Sequence, residues 1–277
     1  MNEVDLRPMT LGEVLDRTFK LYKSNFWLFA GITAMPLLVS LVINIGAAGM
    51  GINQKNLAGS IAASPGMLFS IIGGALLFLV VYLFLLGAAQ AATVFAVSDL
   101  YLGRTPSLRE SYRRVGGKAL RVISILIIAG IMVVFGFLLL IVPGIILLCR
   151  TALAVPASML EDSKSIRSIE RSMNLTKGFS GQIFIIFLMV WVLSWVVGII
   201  FDGPFGYFAA AHHATSFGIL TLQYLSSFIA QVLIGPIGTI AFSLMYYNLR
   251  VRKEAFDIQH LMASLGTPAS PSAPSVA

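Results

Sequence analysis

Six apolar blocks, most of them about twenty residues long, alternate with short charged or turn-forming segments along this chain. A block of about 20 apolar residues can cross the ~30 Å hydrocarbon core of a bilayer as an α-helix. Of all residues, 57% are apolar and only 11% are charged, whereas a soluble domain has about 25% charged residues. The sequence therefore predicts an all-α integral membrane protein. Its six transmembrane helices are expected near residues 26–46, 68–97, 122–142, 145–160, 182–201 and 219–245.

The basic residues are segregated among the connections between these spans. Of the 19 Lys and Arg residues, 17 precede the first span, follow the last, or lie in the second and fourth connections. Lys55 falls in another connection, and Arg150 lies inside the fourth span. Because cytoplasmic loops are enriched in Lys and Arg, we expect both termini in the cytoplasm. The fourth span is short and contains Pro156, but merging it with the third would place the basic residues 161–181 outside.

Three charged junctions precede the first, third and fifth spans, and uncharged residues recur in them at offsets of 0, 3, 4 and 7. These offsets place the residues on one face of an α-helix. Basic amphipathic helices lie at membrane surfaces, with their cations toward anionic headgroups. We expect interfacial helices near residues 10–24, 106–118 and 163–177, each followed by a helical hairpin, in a pseudo-threefold repeat. The aligned residues are Leu15, Thr18, Phe19 and Tyr22, then Leu108, Ser111, Tyr112 and Val115, then Ile169, Ser172, Met173 and Thr176.

Local signals indicate where several helices begin and end. Thr10 with Glu13, and Ser107 with Glu110, have the spacing of a capping box, which predicts two helix starts. The segment "VPG" at residues 142–144 predicts a tight turn between the third and fourth spans.

The chain is expected to form one polytopic membrane domain over residues 1–262. Residues 263–277 are rich in Ser, Pro and Ala, which predicts a disordered cytoplasmic tail. Cys149 is the only cysteine, so no internal disulfide can form.

No cofactor or metal ion is expected. His212 and His213 are adjacent, so their side chains point apart on a helix or strand, which disfavours a shared metal ion. The net charge is +7, and the basic residues are expected at the cytoplasmic edge of the membrane. Anionic headgroups of the cytoplasmic leaflet attract basic residues there. The expected partners are these lipids, with a protein partner or a second copy left open, and nucleic acid is not expected.

Two end segments resemble a known family. The stretches "LGEVLDRTFKLYKSNFWLF" at 11–29 and "LMYYNLRVRKEAFDIQHL" at 244–261 resemble the ends of the glycerophosphoryl diester phosphodiesterase membrane-domain family. Its middle is matched by "TALAVPASMLED" at 151–162 and by the following "SIERSMNLTKG". The resemblance implies a polytopic domain of the bacterial cytoplasmic (inner) membrane, associated with lipids. No segment has the strand and helix pattern of the catalytic phosphodiesterase barrel found in some members.

Arg150 is the basic residue that falls inside a span, and an ionisable residue in a membrane is by default a candidate functional site. One interpretation is structural: the side chain reaches toward headgroups or pairs with Asp202 at the outer end of the fifth span. The other is that Arg150 binds an anionic headgroup or substrate. We favour the structural interpretation.

The segment "NLRVRKEAFD" at residues 248–257 follows the last span. Arg250 and Arg252 are candidate contacts for an anionic headgroup or substrate, although a basic segment with local ion pairs is the ordinary interpretation. A further hypothesis pairs this segment with Asp16 and Arg17 and so ties the chain ends together. The expected i,i+4 pairs are Arg250 with Glu254 and Lys253 with Asp257.

Three functions are compatible with this pattern. We expect a non-enzymatic membrane protein, either a lipid-interacting scaffold or the membrane subunit of a larger assembly, because no catalytic constellation is found. The alternative is a transporter or lipid-translocating permease, which requires a polar cavity that reaches Arg150 and the glutamines. A third and less favoured alternative is an intramembrane lipid-modifying enzyme. If no such cavity exists, the glutamines within the spans are expected to form hydrogen bonds between helices. They are Gln90, Gln223 and Gln231.

Overall fold

In the computed structural model the chain is described over residues 8–50, 65–212 and 217–265. Every regular element there is helical, and six segments are long and apolar enough to cross a membrane, which confirms the predicted all-α class. Lys55, His213, most of the predicted tail and the Asp257 side chain lie outside the described residues. The helices are α1 (Leu11–Ser24), α2 (Phe26–Gly49), α3 (Pro65–Tyr101), α4 (Leu108–Val115), α5 (Ala119–Leu139), α6 (Ile141–Thr151), α7 (Ala154–Glu161), α8 (Ser165–Thr176), α9 (Ser180–His212) and α10 (Phe217–Leu265).

The first and fourth helices begin where the sequence predicts. The Thr10 side chain accepts a hydrogen bond from the Glu13 N–H at 3.4 Å, and the Glu13 carboxylate accepts one from the Thr10 N–H at 2.6 Å. Ser107 Oγ accepts from the third N–H of α4 at 3.3 Å. Gly116 and Gly178, after α4 and α8, have φ angles of +45° and +88°, a backbone region that favours glycine.

The corner between α5 and α6 differs from the predicted turn. α5 ends at Leu139 and α6 begins at Ile141, so the chain turns at the single residue Leu140 and not across the VPG segment. Pro143 lies in the first turn of α6, where a missing N–H breaks no helical hydrogen bond. The VPG segment is therefore compatible with a helix start.

Glycines allow α5 and α6 to cross closely beside this corner. A Cβ added to Gly136 would lie 2.8 Å from the Cα of Gly144 and 2.9 Å from Leu147 Cδ1. Small residues at such crossings let helix backbones pack closely in a membrane.

Gly136→Ala is expected to destabilise the protein by about 1–3 kcal/mol, since the added methyl group has no room. Gly130→Ala is the matched control, because it makes the same change on the same helix where a Cβ would have no neighbour within 4 Å. The control should be neutral, or stabilising by up to about 1 kcal/mol through helix propensity. Thermal unfolding of the solubilised chain measures both, and equal midpoints would contradict the close crossing.

The fourth predicted span is divided into two helices. Pro156 has no N–H to donate to the carbonyl four residues earlier, and the helix is interrupted between α6 and α7. α8 satisfies the backbone freed by this break, because Ser172 Oγ accepts from the Leu153 N–H at 3.1 Å and donates to the Arg150 carbonyl at 2.6 Å. A broken helix in a membrane requires such substitute hydrogen bonds.

A second proline is compensated in the same way. Pro36, inside α2, cannot bond to the Ile32 carbonyl four residues earlier. The Tyr112 hydroxyl of α4 donates to that carbonyl at 2.7 Å. Tyr112 and Ser172, on two of the charged helices, therefore hydrogen-bond to the backbone near a proline in a neighbouring span.

The core lies in the half of the bundle next to the charged helices α1, α4 and α8, which we call the inner half. Along α3, residues 91–97 are all buried, whereas residues 72–77 are all exposed. α10 is fully buried at Ile240, Leu244 and Tyr246. The outer half presents apolar surface in many directions, as expected where lipid covers a helix.

Candidate functional site

A cavity of about 340 Å³ lies among α2, α3, α9 and α10, beside the packed inner half. Its volume is at the lower end of the ~300–1,000 Å³ typical of small-molecule sites. All four helices contribute polar side chains to its wall. These are Thr33, Tyr82, Gln90, Thr93, Ser194, Asp202, Gln231 and Thr239.

Helical spacing brings these residues to one space. On α9, the lining residues Ser194, Gly198 and Asp202 are four residues apart, which places them on one face of the helix. α10 repeats this interval. Its lining residues at that spacing are Gln231, Gly235 and Thr239.

Asp202 is held by α10. Ser227 Oγ donates to Asp202 Oδ1 at 2.5 Å, and the neighbouring Ser226 donates to the Phe201 carbonyl at 2.6 Å. Both bonds join α9 to α10 just before Pro204, which interrupts the hydrogen bonding of α9. The second oxygen of the Asp202 carboxylate has no partner among the described residues.

The amides of Gln90 and Gln231 and the hydroxyl of Tyr82 also lack hydrogen-bond partners in the described part of the chain. The prediction that these two glutamines join helices through hydrogen bonds is therefore wrong. A polar group removed from water without a partner costs several kcal/mol in an apolar medium. The cavity is therefore suited to water or to a polar ligand.

A second, more apolar cavity of about 400 Å³ adjoins the first. It lies among α3, α5, α6, α7, α9 and α10, and the two cavities share Gln90, Gly235 and Thr239. The open space is thus polar on the Asp202 side and apolar on the Phe242 side. An amphipathic molecule has the same two kinds of surface.

Arg150 does not form the predicted pair with Asp202. Its Nε atom is buried without a hydrogen-bond partner in the residues described, while Asp202 bonds to Ser227. The Arg150 carbonyl accepts from Ser172 at 2.6 Å and from Thr176 at 3.5 Å, both in α8. Arg150 therefore lies beside a charged helix, and it does not line the cavity.

Arg250 and Arg252 both make contacts within the chain. Arg250 Nε donates to Glu254 Oε2 at 2.8 Å, the i,i+4 pair that the sequence predicts. Arg252 donates to the Met9 carbonyl at 2.6 Å, and its guanidinium carbon lies 5.7 Å from the centre of the Phe179 ring. A contact of either arginine with an anionic headgroup stays a prediction.

The two ends of the described chain are tied together, but not through the expected residues. Asn248 accepts from the Met9 N–H at 2.8 Å and donates to the Met9 carbonyl at 2.9 Å. Arg17 lies 4.8 Å from the centre of the Tyr101 ring, and Asp16 is exposed. Neither Asp16 nor Arg17 pairs with residues 248–254, the part of this segment whose side chains the structure describes, so the predicted pairing is absent there.

Sequence reasoning missed the ion pairs of the inner half. Asp99 is only 4% exposed, and Arg114 Nη1 donates to both of its carboxylate oxygens at 2.9 Å. Glu161 Oε1 accepts from Arg171 at 2.9 Å and from the Tyr246 hydroxyl at 2.6 Å. These partners are too distant in sequence for a helical spacing rule to find them.

Within the described residues, no group of three or more His, Cys, Asp or Glu side chains could hold a metal ion. The His212 side chain lies outside that part of the structure. No protein-family model, curated protein or solved structure matches this chain. The chemistry of the cavity is therefore what indicates a function.

Proposed function

We propose that this chain is a permease whose cavity beside Asp202 holds the polar, cation-bearing part of the substrate. One observation supports the proposal most: a carboxylate oxygen and two amides without partners face a cavity among helices that are apolar enough to cross a membrane. Acidic residues inside membrane segments commonly mark substrate or ion pathways. The cavity reaches Gln90 and Gln231 but not Arg150, so the permease is supported by Asp202 and the glutamines and not by the arginine that the sequence indicated.

The lining favours a cation over an anion. Asp202 is the one charged side chain among the described lining residues, and no Lys or Arg accompanies it. Charges interact more strongly where the dielectric constant is low, so an uncompensated carboxylate there attracts a cation. The amides and hydroxyls can hydrogen-bond the neutral polar groups of the same molecule. An ammonium group such as that of ethanolamine, free or as a lipid headgroup, has this chemistry.

The position of the cavity corresponds to one conformational state of a transport cycle. Packed residues of the inner half, including Ala96 and Leu244, lie between the cavity and the charged helices. On the other side, residues 72–77 of α3 are exposed. If the charged helices face the cytoplasm, as the positive-inside rule indicates, the cavity belongs to an outward-facing state.

Four further proposals accompany the permease. The chain has both termini in the cytoplasm and resides in the bacterial inner membrane, and it belongs to the membrane-domain family that its end segments resemble. The charged helices with their following spans form a pseudo-threefold repeat. Burial supports the repeat, because the equivalent residues Thr18, Ser111 and Ser172 are at most 1% exposed.

Reconstitution of the full chain in liposomes tests the permease. Two probes carry the ammonium group of ethanolamine. The first is radiolabelled ethanolamine, whose uptake is counted. The second is phosphatidylethanolamine with a fluorescent acyl chain, whose translocation is followed by dithionite quenching. We expect one of them to cross faster than in protein-free liposomes. Background rates for both would contradict the permease and favour the scaffold.

A further inference from the structure

A second space, separate from the cavity, opens at the charged end of α5. It is a groove of about 930 Å³ between the first turns of α5 and residues 163–167, which include the first turn of α8. Leu120, Ser124 and Ile128 of α5 are four residues apart and form one wall. Since α5 belongs to a membrane-crossing segment, the groove runs from the charged helices toward the acyl chains.

The part of the groove nearest α7 holds a paired carboxylate. Asp162 Oδ1 lies 2.7 Å from Arg121 Nη1 and 3.2 Å from Lys118 Nζ. Hydrogen bonds from these two cations lower the pKa of the Asp162 carboxyl below its ordinary value. This carboxylate therefore stays ionised, and two cations share its single charge.

The other side of the groove carries cations without partners. Lys164 and Arg167 are exposed, and neither side chain forms an ion pair or hydrogen bond with the residues that the structure describes. Glu170 is the second carboxylate of the lining. With Arg121, three cations line the groove against two carboxylates, and Lys118, which is outside the lining, also pairs with Asp162. An anionic ligand is therefore favoured.

Apolar side chains lie directly beside these cations. Leu120 is 64% exposed and Ile166 is 66% exposed, and both line the groove. Apolar surface next to basic residues at the end of a membrane span matches the two parts of a phospholipid, an acyl chain and a phosphate. A soluble phosphate would leave the apolar wall unused.

We infer that this groove binds one anionic phospholipid, with its phosphate beside Lys164 and Arg167 and an acyl chain along Leu120 and Ile128. The site is distinct from the cavity beside Asp202, and the inference does not depend on the proposal that the chain is a permease.

Native mass spectrometry of the detergent-solubilised full chain tests the groove. The two lipids to add are dioleoyl phosphatidylglycerol and dioleoyl phosphatidylcholine, which have the same acyl chains and differ in headgroup charge. The unaltered chain should retain one phosphatidylglycerol in preference to phosphatidylcholine. Lys164→Gln with Arg167→Gln should weaken this retention at least fivefold, because each cation near a phosphate contributes roughly a fivefold change in affinity.

Arg109→Gln with Arg113→Gln is the matched control. It removes the same two charges from exposed positions on another charged helix, α4, where neither side chain has a partner among the described residues. The control should change phosphatidylglycerol retention less than twofold. Equal losses of phosphatidylglycerol retention in the two double variants, or no preference between the two lipids, would overturn the proposed lipid site. Displacement of the lipid by excess glycerol phosphate would also overturn it, since the site would then recognise a soluble phosphate.

Discussion

Replacing Arg114 with methionine is expected to lower the free energy of unfolding by about 1–3 kcal/mol, the cost of leaving a buried acceptor without its partner, since Asp99 is buried whereas the Arg114 side chain is 36% exposed. Arg114 Nη1 lies 2.9 Å from both oxygens of Asp99, whose side chain is 6% exposed. The other cation nearby, Arg104, is 3.9 Å away and 66% exposed. Loss of Arg114 would therefore leave a carboxylate in the packed inner half with little compensation.

Thermal unfolding followed by tryptophan fluorescence measures this effect in the solubilised full chain. Arg113→Met is the matched control, because the neighbouring arginine is exposed and has no partner in the described chain, and it should change stability by no more than about 0.5 kcal/mol. Adding Asp99→Leu to Arg114→Met should restore much of the lost stability, since a hydrophobic pair often replaces a buried ion pair without cost. Similar midpoints for the two single variants would show that Asp99 does not depend on Arg114.

Asp202→Asn is expected to slow transport of the ammonium probe roughly 10- to 100-fold, since a hydrogen bond to a charged group contributes about 1.5–3 kcal/mol. The asparagine keeps the size of the side chain and can still accept the hydrogen bond from Ser227. The substitution therefore removes the negative charge and leaves the link between α9 and α10 in place. Flux in liposomes and unfolding temperature, measured together, separate the loss of charge from the loss of fold.

A pair of glutamines provides a further control for that experiment. Gln231 and Gln223 both lie on α10, and Gln231 lines the cavity whereas Gln223 does not. Gln231→Leu should slow flux several-fold, and Gln223→Leu should leave it near the rate of the unaltered chain. Equal rates for these two variants, or full activity of Asp202→Asn, would mean that the substrate passes elsewhere.

Properties local to the chain explain which parts of this fold the sequence predicts. Hydropathy over about 20 residues depends on composition alone, so the six segments that are long and apolar enough to cross a membrane are predicted correctly. The cap at Thr10 depends on residues within one turn, and it forms as expected. The prediction of a tight turn at residues 142–144 was wrong, because proline and glycine are compatible with the first turn of a helix as well as with a loop.

Contacts between distant segments explain what the sequence did not predict. Arg150 was expected to reach toward headgroups or to pair with Asp202, but its position follows from the break before Pro156 and from the hydrogen bonds of Ser172 to the freed backbone. Asp202 was named only as a partner for Arg150, since its role depends on how four helices enclose a cavity. The one sequence signal was the four-residue spacing of polar and small residues within apolar spans, such as Ser194, Gly198 and Asp202.

Thiol labelling in liposomes tests most directly whether the cavity is a water-filled site that attracts cations. The sole cysteine, Cys149, is buried and is first replaced by alanine. Ser194→Cys then places a thiol in the cavity wall, and Val192→Cys places one on the same helix at a position that lines none of the described cavities.

A thiol must ionise to react, which requires water. We expect Ser194→Cys to react with a membrane-impermeant methanethiosulfonate, faster with the cationic trimethylammonium reagent than with the anionic sulfonate, and Val192→Cys to stay unlabelled. Absence of labelling at residue 194, or equal labelling at both positions, would contradict a polar cavity beside Asp202.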